Sequence, residues 1–186
     1  MLRLFVALEL PELLKEAIGG IQAGLRDARW LDEEGLHLTL AFIGEVDGAA
    51  ARRIEEALSR VEAPSLEVEL HGLGHFPLRG SPRVLWTGAS PAAELGSLAA
   101  AVRRELSRAG YPPERRKFAP HVTIARFRRP PPPPALQDYL GAYALFRTPA
   151  APVASFRLLS SVLRPSGARY TVEADFPLAW ASSPEA

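Results

Sequence analysis

The order strand, proline, helix, His-x-Thr strand is written twice along this chain, and that repetition limits its fold more than any other feature. Leu2 to Leu8 reads as a short buried strand. Pro11 then opens a segment whose apolar residues, Leu13, Leu14, Ala17, Ile18, Ile21 and Leu25, recur at helical spacing. A second strand is predicted over Leu36 to Ile43, around His37 and Thr39. At an offset of 80, Arg83, Val84, Leu85 and Trp86 stand against Arg3, Leu4, Phe5 and Val6, and Pro91 falls on Pro11. Leu95, Leu98, Val102 and Leu106 supply a second helix ending near Gly110, and Lys117 to Phe127 a second His-containing strand, now at an offset of 84. Two copies at so long a period make no solenoid; they predict two similar lobes facing each other.

Between and after the copies the signals are shorter. Trp30 to Gly35 reads as an acidic loop, Ala49 to Val61 as a helix capped by Asp47, and Leu66, Val68 and Leu70 as alternate residues of a half-exposed strand. Gly72 and Gly74 place His71 and His75 in a surface loop. The run Pro130 to Pro134 predicts an extended connector without backbone donors, and Ala135 to Tyr143 a short helix. Phe156 to Leu163 and Arg169 to Phe176 close the chain as a strand pair around the turn Pro165-Ser166-Gly167. The expected class is α+β: one internally duplicated, two-lobed domain over residues 1–186, with motifs at 37–40 and 121–124. Its antiparallel sheets form a central cleft, and helices cover the outer faces.

Composition excludes several functions. With no cysteine there is no thiolate zinc site and no thiol nucleophile. No apolar run approaches the roughly 18 to 20 residues of a membrane span, and the N-terminus lacks a basic region followed by an apolar run, so a cytoplasmic protein is expected. Net charge is +1, but it is unevenly spread. Met1 to Leu70 holds seven basic against fourteen acidic residues, a balance of −7, whereas Ala101 to Pro130 holds nine against two, a balance of +7. That later run, Arg103, Arg104, Arg108, Arg115, Arg116, Lys117, Arg126, Arg128 and Arg129, suggests a face for a polyanion; a solvated helix face explains Arg103 to Arg108 equally well. Twenty of 22 basic residues are Arg and Asn is absent, a composition that fits a thermophile or a GC-rich genome.

The chemistry is carried by His37-Leu38-Thr39-Leu40-Ala41 and His121-Val122-Thr123-Ile124-Ala125. Residues i and i+2 of a strand point the same way, so each motif presents an imidazole beside a hydroxyl while the aliphatic residues anchor the other face. With four His and five Thr in the chain, two such matches arise by chance on the order of once per thousand sequences of this composition. The plain alternative is a pair of hydrogen-bonded strand histidines in a duplicated scaffold. Two imidazoles suit phosphodiester cleavage, one taking a proton from the attacking oxygen and the other giving one to the leaving oxygen. The Thr hydroxyls can donate to the phosphoryl oxygens. No metal or cofactor is expected, since none of the five Asp adjoins a motif.

With its flanks, this pattern resembles the two-histidine phosphoesterases, specifically the LigT-like RNA 2′,3′-cyclic phosphodiesterases, or 2′-5′ RNA ligases. The resemblance rests on Arg3 to Leu8, Trp30 through His37-Leu38-Thr39-Leu40 to Val46, Arg83 to Trp86, Lys117 to Arg126, and Ser161-x-Leu163 with Gly167, Tyr170 and Phe176-Pro177-Leu178. It implies that His37 donates the proton to the leaving 3′ oxygen, that His121 activates water, and that the product carries a 2′-phosphate. Thr39 and Thr123 would hold the phosphate. Arg126 would be a further phosphate ligand; it breaks alternation with His121 and Thr123, so it needs a bulge or a curling side chain, and is otherwise a surface ion-pair residue. The implied partner is RNA ending in a 2′,3′-cyclic phosphate, tRNA fragments included, bound by a monomer with no membrane contact. Ligation would be the reverse reaction without ATP, since neither Lys15 nor Lys117 sits in an adenylylation motif.

Among the aromatics, Phe5, Phe42, Trp86 and Phe118 could stack on a base, with Phe42 or Phe118 favoured by their closeness to a motif. Two competing functions remain: a phosphodiesterase of small nucleotide cyclic phosphates, and a non-catalytic RNA-binding module. The basic run favours a longer RNA over the first, and two complete His-x-Thr pairs count against the second.

Overall fold

The computed structural model describes residues 1–114, 117–164 and 167–179. Along the chain run β1 (Leu2–Glu9), α1 (Glu12–Gly19), β2 (Ala28–Trp30), a 3-10 turn (Glu33–Gly35), β3 (His37–Val46), α2 (Gly48–Leu58), β4 (Leu66–Phe76) and β5 (Val84–Ser90). Then come α3 (Ala92–Arg108), β6 (His121–Phe127), α4 (Pro133–Ala142), β7 (Ala151–Val153), β8 (Ser155–Arg164) and β9 (Gly167–Pro177). The strands form a curled sheet in the order β7-β4-β5-β6-β3-β1-β8-β9, all neighbours antiparallel, with β2 also paired to β6.

One face of this sheet supplies the main core. Leu4, Val6 and Leu8 of β1, Leu38 and Leu40 of β3, Leu85 of β5, and Val122 and Ile124 of β6 are all buried there. Alternation sends the intervening residues to the opposite face, where Phe5, Ala7 and Leu159 form a separate small cluster under Tyr170. The helices obey local rules. Pro11 and Pro91 precede α1 and α3, where a missing N–H costs nothing, and Asp47 caps α2 by accepting from the Ala50 N–H at 2.7 Å.

The structure departs from the sequence reading at several places. α1 stops at Gly19, although Ile21 and Leu25 are buried beyond it; their spacing marks a core-facing turn as well as it would a helix. Trp30 closes the short strand β2, inside the stretch read as a loop, and β7 is a second short strand the composition hid. His71 to Phe76 lie in β4, not in a loop, because Gly72 at φ +61° absorbs a bulge while pairing to β5 continues. Pro133 and Pro134 belong to the first turn of α4, where proline's fixed φ is helical, so the connector is shorter than the proline run. Pro165 and Ser166 of the expected closing turn lie outside the described residues.

Candidate active site

β3 and β6 meet at one Cα pair, Leu38 with Val122. Both side chains are fully buried, so their neighbours point to the other face. Continuing that antiparallel register by one residue each way sets His37 opposite Thr123 and Thr39 opposite His121. The sheet thus brings two imidazoles and two hydroxyls, all half-buried, to one junction.

Both strands then bulge at the same step. Val6 pairs with Ala41 and Ala7 with Thr39, leaving Leu40 without a partner; Leu85 pairs with Ala125 and Trp86 with Thr123, leaving Ile124 without one. Each bulge puts two consecutive residues into the core and reverses the alternation beyond it. Phe42 and Arg126 are therefore turned outward, to the face that carries the histidines. The bulge condition for Arg126 is met by backbone geometry. The same register matches Ala7 with Trp86, an offset of 79, whereas the residue types align at 80. One extra residue separates β5 from its proline, and a one-residue slip exchanges the faces of a strand.

The two ends of the cleft differ. The His37 ring lies 4.9 Å from that of Phe5 and 5.1 Å, edge-on, from Tyr170. Its Nδ1 is buried with no hydrogen-bond partner among the described residues. Burial, and then the Arg126 guanidinium, lower the His37 pKa to about 4, so the free protein holds this imidazole neutral at pH 7. Burial likewise pushes the Tyr170 hydroxyl up. At the other end His121 Nδ1–H donates to the Ala119 carbonyl at 2.7 Å, which leaves the Nε2 lone pair for the cleft. Phe76 and Trp86 flank it at 5.1 and 6.1 Å. The Trp86 indole lies over Gly74, where a Cβ would come within 2.3 Å of the ring. His71 covers Gly88, the β5 neighbour of His121, so a third imidazole reaches this face, where the sequence alone points to a loop. His75 is tied to the Pro77 carbonyl instead, and no three-ligand metal cluster occurs among the described residues.

The basic run does not form one surface. Arg104 and Arg108 bind Glu105 at 3.3 and 2.8 Å, and Arg103 donates to the Glu114 carbonyl, so this part of α3 is satisfied by its own surroundings. Lys117, Arg128 and Arg129 are exposed outside the strand core, and Arg115 and Arg116 lie outside the described residues. Of the seven described, Arg126 is the one that lines the groove beside the junction. Its companions there, Arg3 and Arg29, come from β1 and β2, and Arg169 of β9 lines the adjoining cavity; being far apart along the chain, they form no basic run in the sequence. Phe42 is 46% exposed in this groove, whereas Phe5 is buried beneath it. Phe118, the other favoured aromatic, packs against the main core.

The sequence pattern that defines the 2′-5′ RNA ligase superfamily matches residues 10–162. The chain belongs to that superfamily. It is 35% identical over 172 residues to the RNA 2′,3′-cyclic phosphodiesterase of Archaeoglobus fulgidus, covering 91% of this chain and 96% of that one. Superfamily membership extends to the fold. A crystal structure from Thermus thermophilus matches with a TM-score of 0.79 at 28% identity, covering 96% of this chain and 99% of that one. E. coli LigT complexed with 3′-AMP matches with a TM-score of 0.75 at 30% identity, covering 95% and 98%. The α+β class with its curled antiparallel sheet is thus shared with these solved structures, and among the described residues no helix is long and apolar enough to cross a membrane.

Proposed function

We propose that this protein hydrolyses the 2′,3′-cyclic phosphate at an RNA end to a 2′-phosphomonoester, using His37 and His121 as acid and base without metal or cofactor. The observation that carries this reading is the Leu38–Val122 register, which leaves His37, Thr39, His121 and Thr123 on one cleft face. The curated relatives named RNA 2′,3′-cyclic phosphodiesterase support the substrate, and the 3′-AMP complex of E. coli LigT fits a nucleotide end. His121 Nε2 accepts the proton of a water whose oxygen attacks phosphorus. The P–O3′ bond breaks, and O3′ takes its proton from His37. Thr39, Thr123 and Arg126 donate to the non-bridging oxygens as charge gathers there. Proton exchange with solvent then resets both rings. With a 5′-hydroxyl in place of water the same ring opening would join two RNA ends through a 2′-5′ linkage. The reading places a monomer in the cytoplasm, acting as one domain of two similar halves.

The test is a short RNA ending in a 2′,3′-cyclic phosphate, incubated with the protein in EDTA without ATP, with 2′- and 3′-phosphates resolved. Formation of the 2′-phosphate is expected. Binding without turnover would mean that the motifs mark an RNA-binding cleft or act on another phosphodiester.

His37 has its own test. A donor must carry a proton, yet burial and Arg126 disfavour the imidazolium in the free protein. A bound phosphodiester anion offsets the guanidinium and offers the imidazolium an acceptor, so binding raises the His37 pKa. Histidine NMR titration is expected to give about 4 for the free protein, higher in Arg126→Gln and higher with saturating inorganic phosphate. An ordinary value in the free protein overturns this account. Linkage has a definite sign. His37's contribution to stability is complete above its unfolded value of 6.5, declines as pH falls, and is lost below about 4.

A further inference from the structure

Arg29 and Arg126 are direct cross-strand partners in the β2–β6 pair. Like charges placed opposite each other destabilise a sheet. Among the described residues neither arginine makes an ion pair, and nor does Arg3; the carboxylates of Asp32 and Glu34 line the adjoining cavity without bonding to them. The three arginines line one groove of about 440 Å³ beside the His37 end, within the usual size of a ligand site. Phe42 and Tyr170 supply its aromatic walls, and Glu114 is the carboxylate that lines it.

Which part of a substrate enters this groove follows from the reaction proposed above, on which the inference rests. In an in-line displacement the attacking and leaving oxygens lie on opposite sides of phosphorus. Water enters from the His121 side, so the ribose that carries the leaving 3′ oxygen lies toward His37. The rest of the RNA is attached to that ribose and extends away on the same side. There the protein has the arginine groove, whereas beside His121 it has the Phe76–Trp86 aromatic pair.

We propose that the groove of Arg3, Arg29, Phe42 and Tyr170 binds the RNA strand on the 5′ side of the cyclic phosphate. Arg29 and Arg3 hold the first internucleotide phosphates, Arg126 stays with the reacting one, and Phe42 offers its exposed ring to a base. Bound phosphates remove the repulsion between Arg29 and Arg126. The enzyme then distinguishes a polynucleotide end from a free cyclic mononucleotide by this groove and not by its catalytic groups, and the α3 arginines take no part.

The test compares kcat/KM for a pentanucleotide ending in a 2′,3′-cyclic phosphate with that for 2′,3′-cyclic AMP, in the wild type, Arg29→Gln, Arg3→Gln, the double variant and Arg104→Gln. The pentanucleotide is expected to lose at least about tenfold more than the mononucleotide in the double variant, each phosphate contact being a charge-assisted one. The slope of log(kcat/KM) against log salt should fall by about 0.7 for each groove arginine removed, as for single-strand phosphate contacts. Arg104→Gln should leave the substrate ratio alone. Equal losses on both substrates would mean that Arg3 and Arg29 hold the reacting phosphate, and no loss on either would mean that the strand takes another path; each overturns the proposal. A wild type that prefers neither substrate overturns the groove while leaving the proposed function intact. A wild type that turns over neither overturns the proposed function itself. Arg29→Lys, which keeps the charge, should retain most of the salt slope if folding is not at issue.

Discussion

Replacing His121 by alanine is expected to lower kcat/KM on the cyclic-phosphate RNA by about a thousandfold, within the range supplied by one positioned general base. Its ring is held as a base would need: Nδ1–H is committed to the Ala119 carbonyl at 2.7 Å, which leaves the Nε2 lone pair free. His37→Ala gives a loss of similar size on the same substrate. The two variants separate when the leaving group changes. An aryl phosphodiester expels a phenolate that needs no proton, so the activity of His37→Ala recovers on it while that of His121→Ala does not. The reverse pattern would exchange acid and base, and activity retained by both variants on RNA would remove the two-imidazole mechanism. The loss in His37→Ala is chemical, since Phe5 and Tyr170 still wall the site, and RNA affinity should change far less than turnover.

Leu38→Ala is expected to cost about 3 kcal/mol of folding stability, in the middle of the range for a buried leucine cut to alanine. Leu38 is fully buried and is half of the one Cα pair by which β3 meets β6. A cavity there lets the strands shift where His37 and Thr39 are aimed, so turnover should fall with stability although no polar group has been removed. Urea unfolding gives the first effect and kcat the second. Val172→Ala on β9, 47% exposed, should stay within about 0.5 kcal/mol and serves as the control. A Leu38→Ala loss below about 1 kcal/mol would show that the junction is held from elsewhere.

His37, Thr39, His121 and Thr123 were legible because strand period and residue chemistry agree within five consecutive residues of each motif. Arg126 was half legible: its type suggested a phosphate ligand, but its parity was wrong until the Ile124 bulge reversed the alternation. A bulge has no reliable signature of its own, since an extra residue in one strand is visible only against its partner. The same reason explains His71. The flanking glycines read as a loop, whereas β5 pairs with that segment and Gly88 leaves room for the imidazole.

Charge was the least legible property. The basic run begins on α3, where Arg104 and Arg108 face Glu105, while the arginines that line the groove stand singly at positions 3, 29 and 126. By itself the sequence determined what is local: the order of the longer strands and helices, the buried face of each motif as far as its bulge, and the imidazole–hydroxyl pairs, because spacing along the chain decides which side chains share a face. Only the tertiary structure decided what is not local: the Leu38–Val122 strand pairing that joins the motifs, the asymmetry that buries His37 while fixing the tautomer of His121, and the gathering of distant arginines. Those depend on which strands become neighbours and in what register, and a side chain's electrostatic surroundings come from neighbours that the chain's linear order does not name.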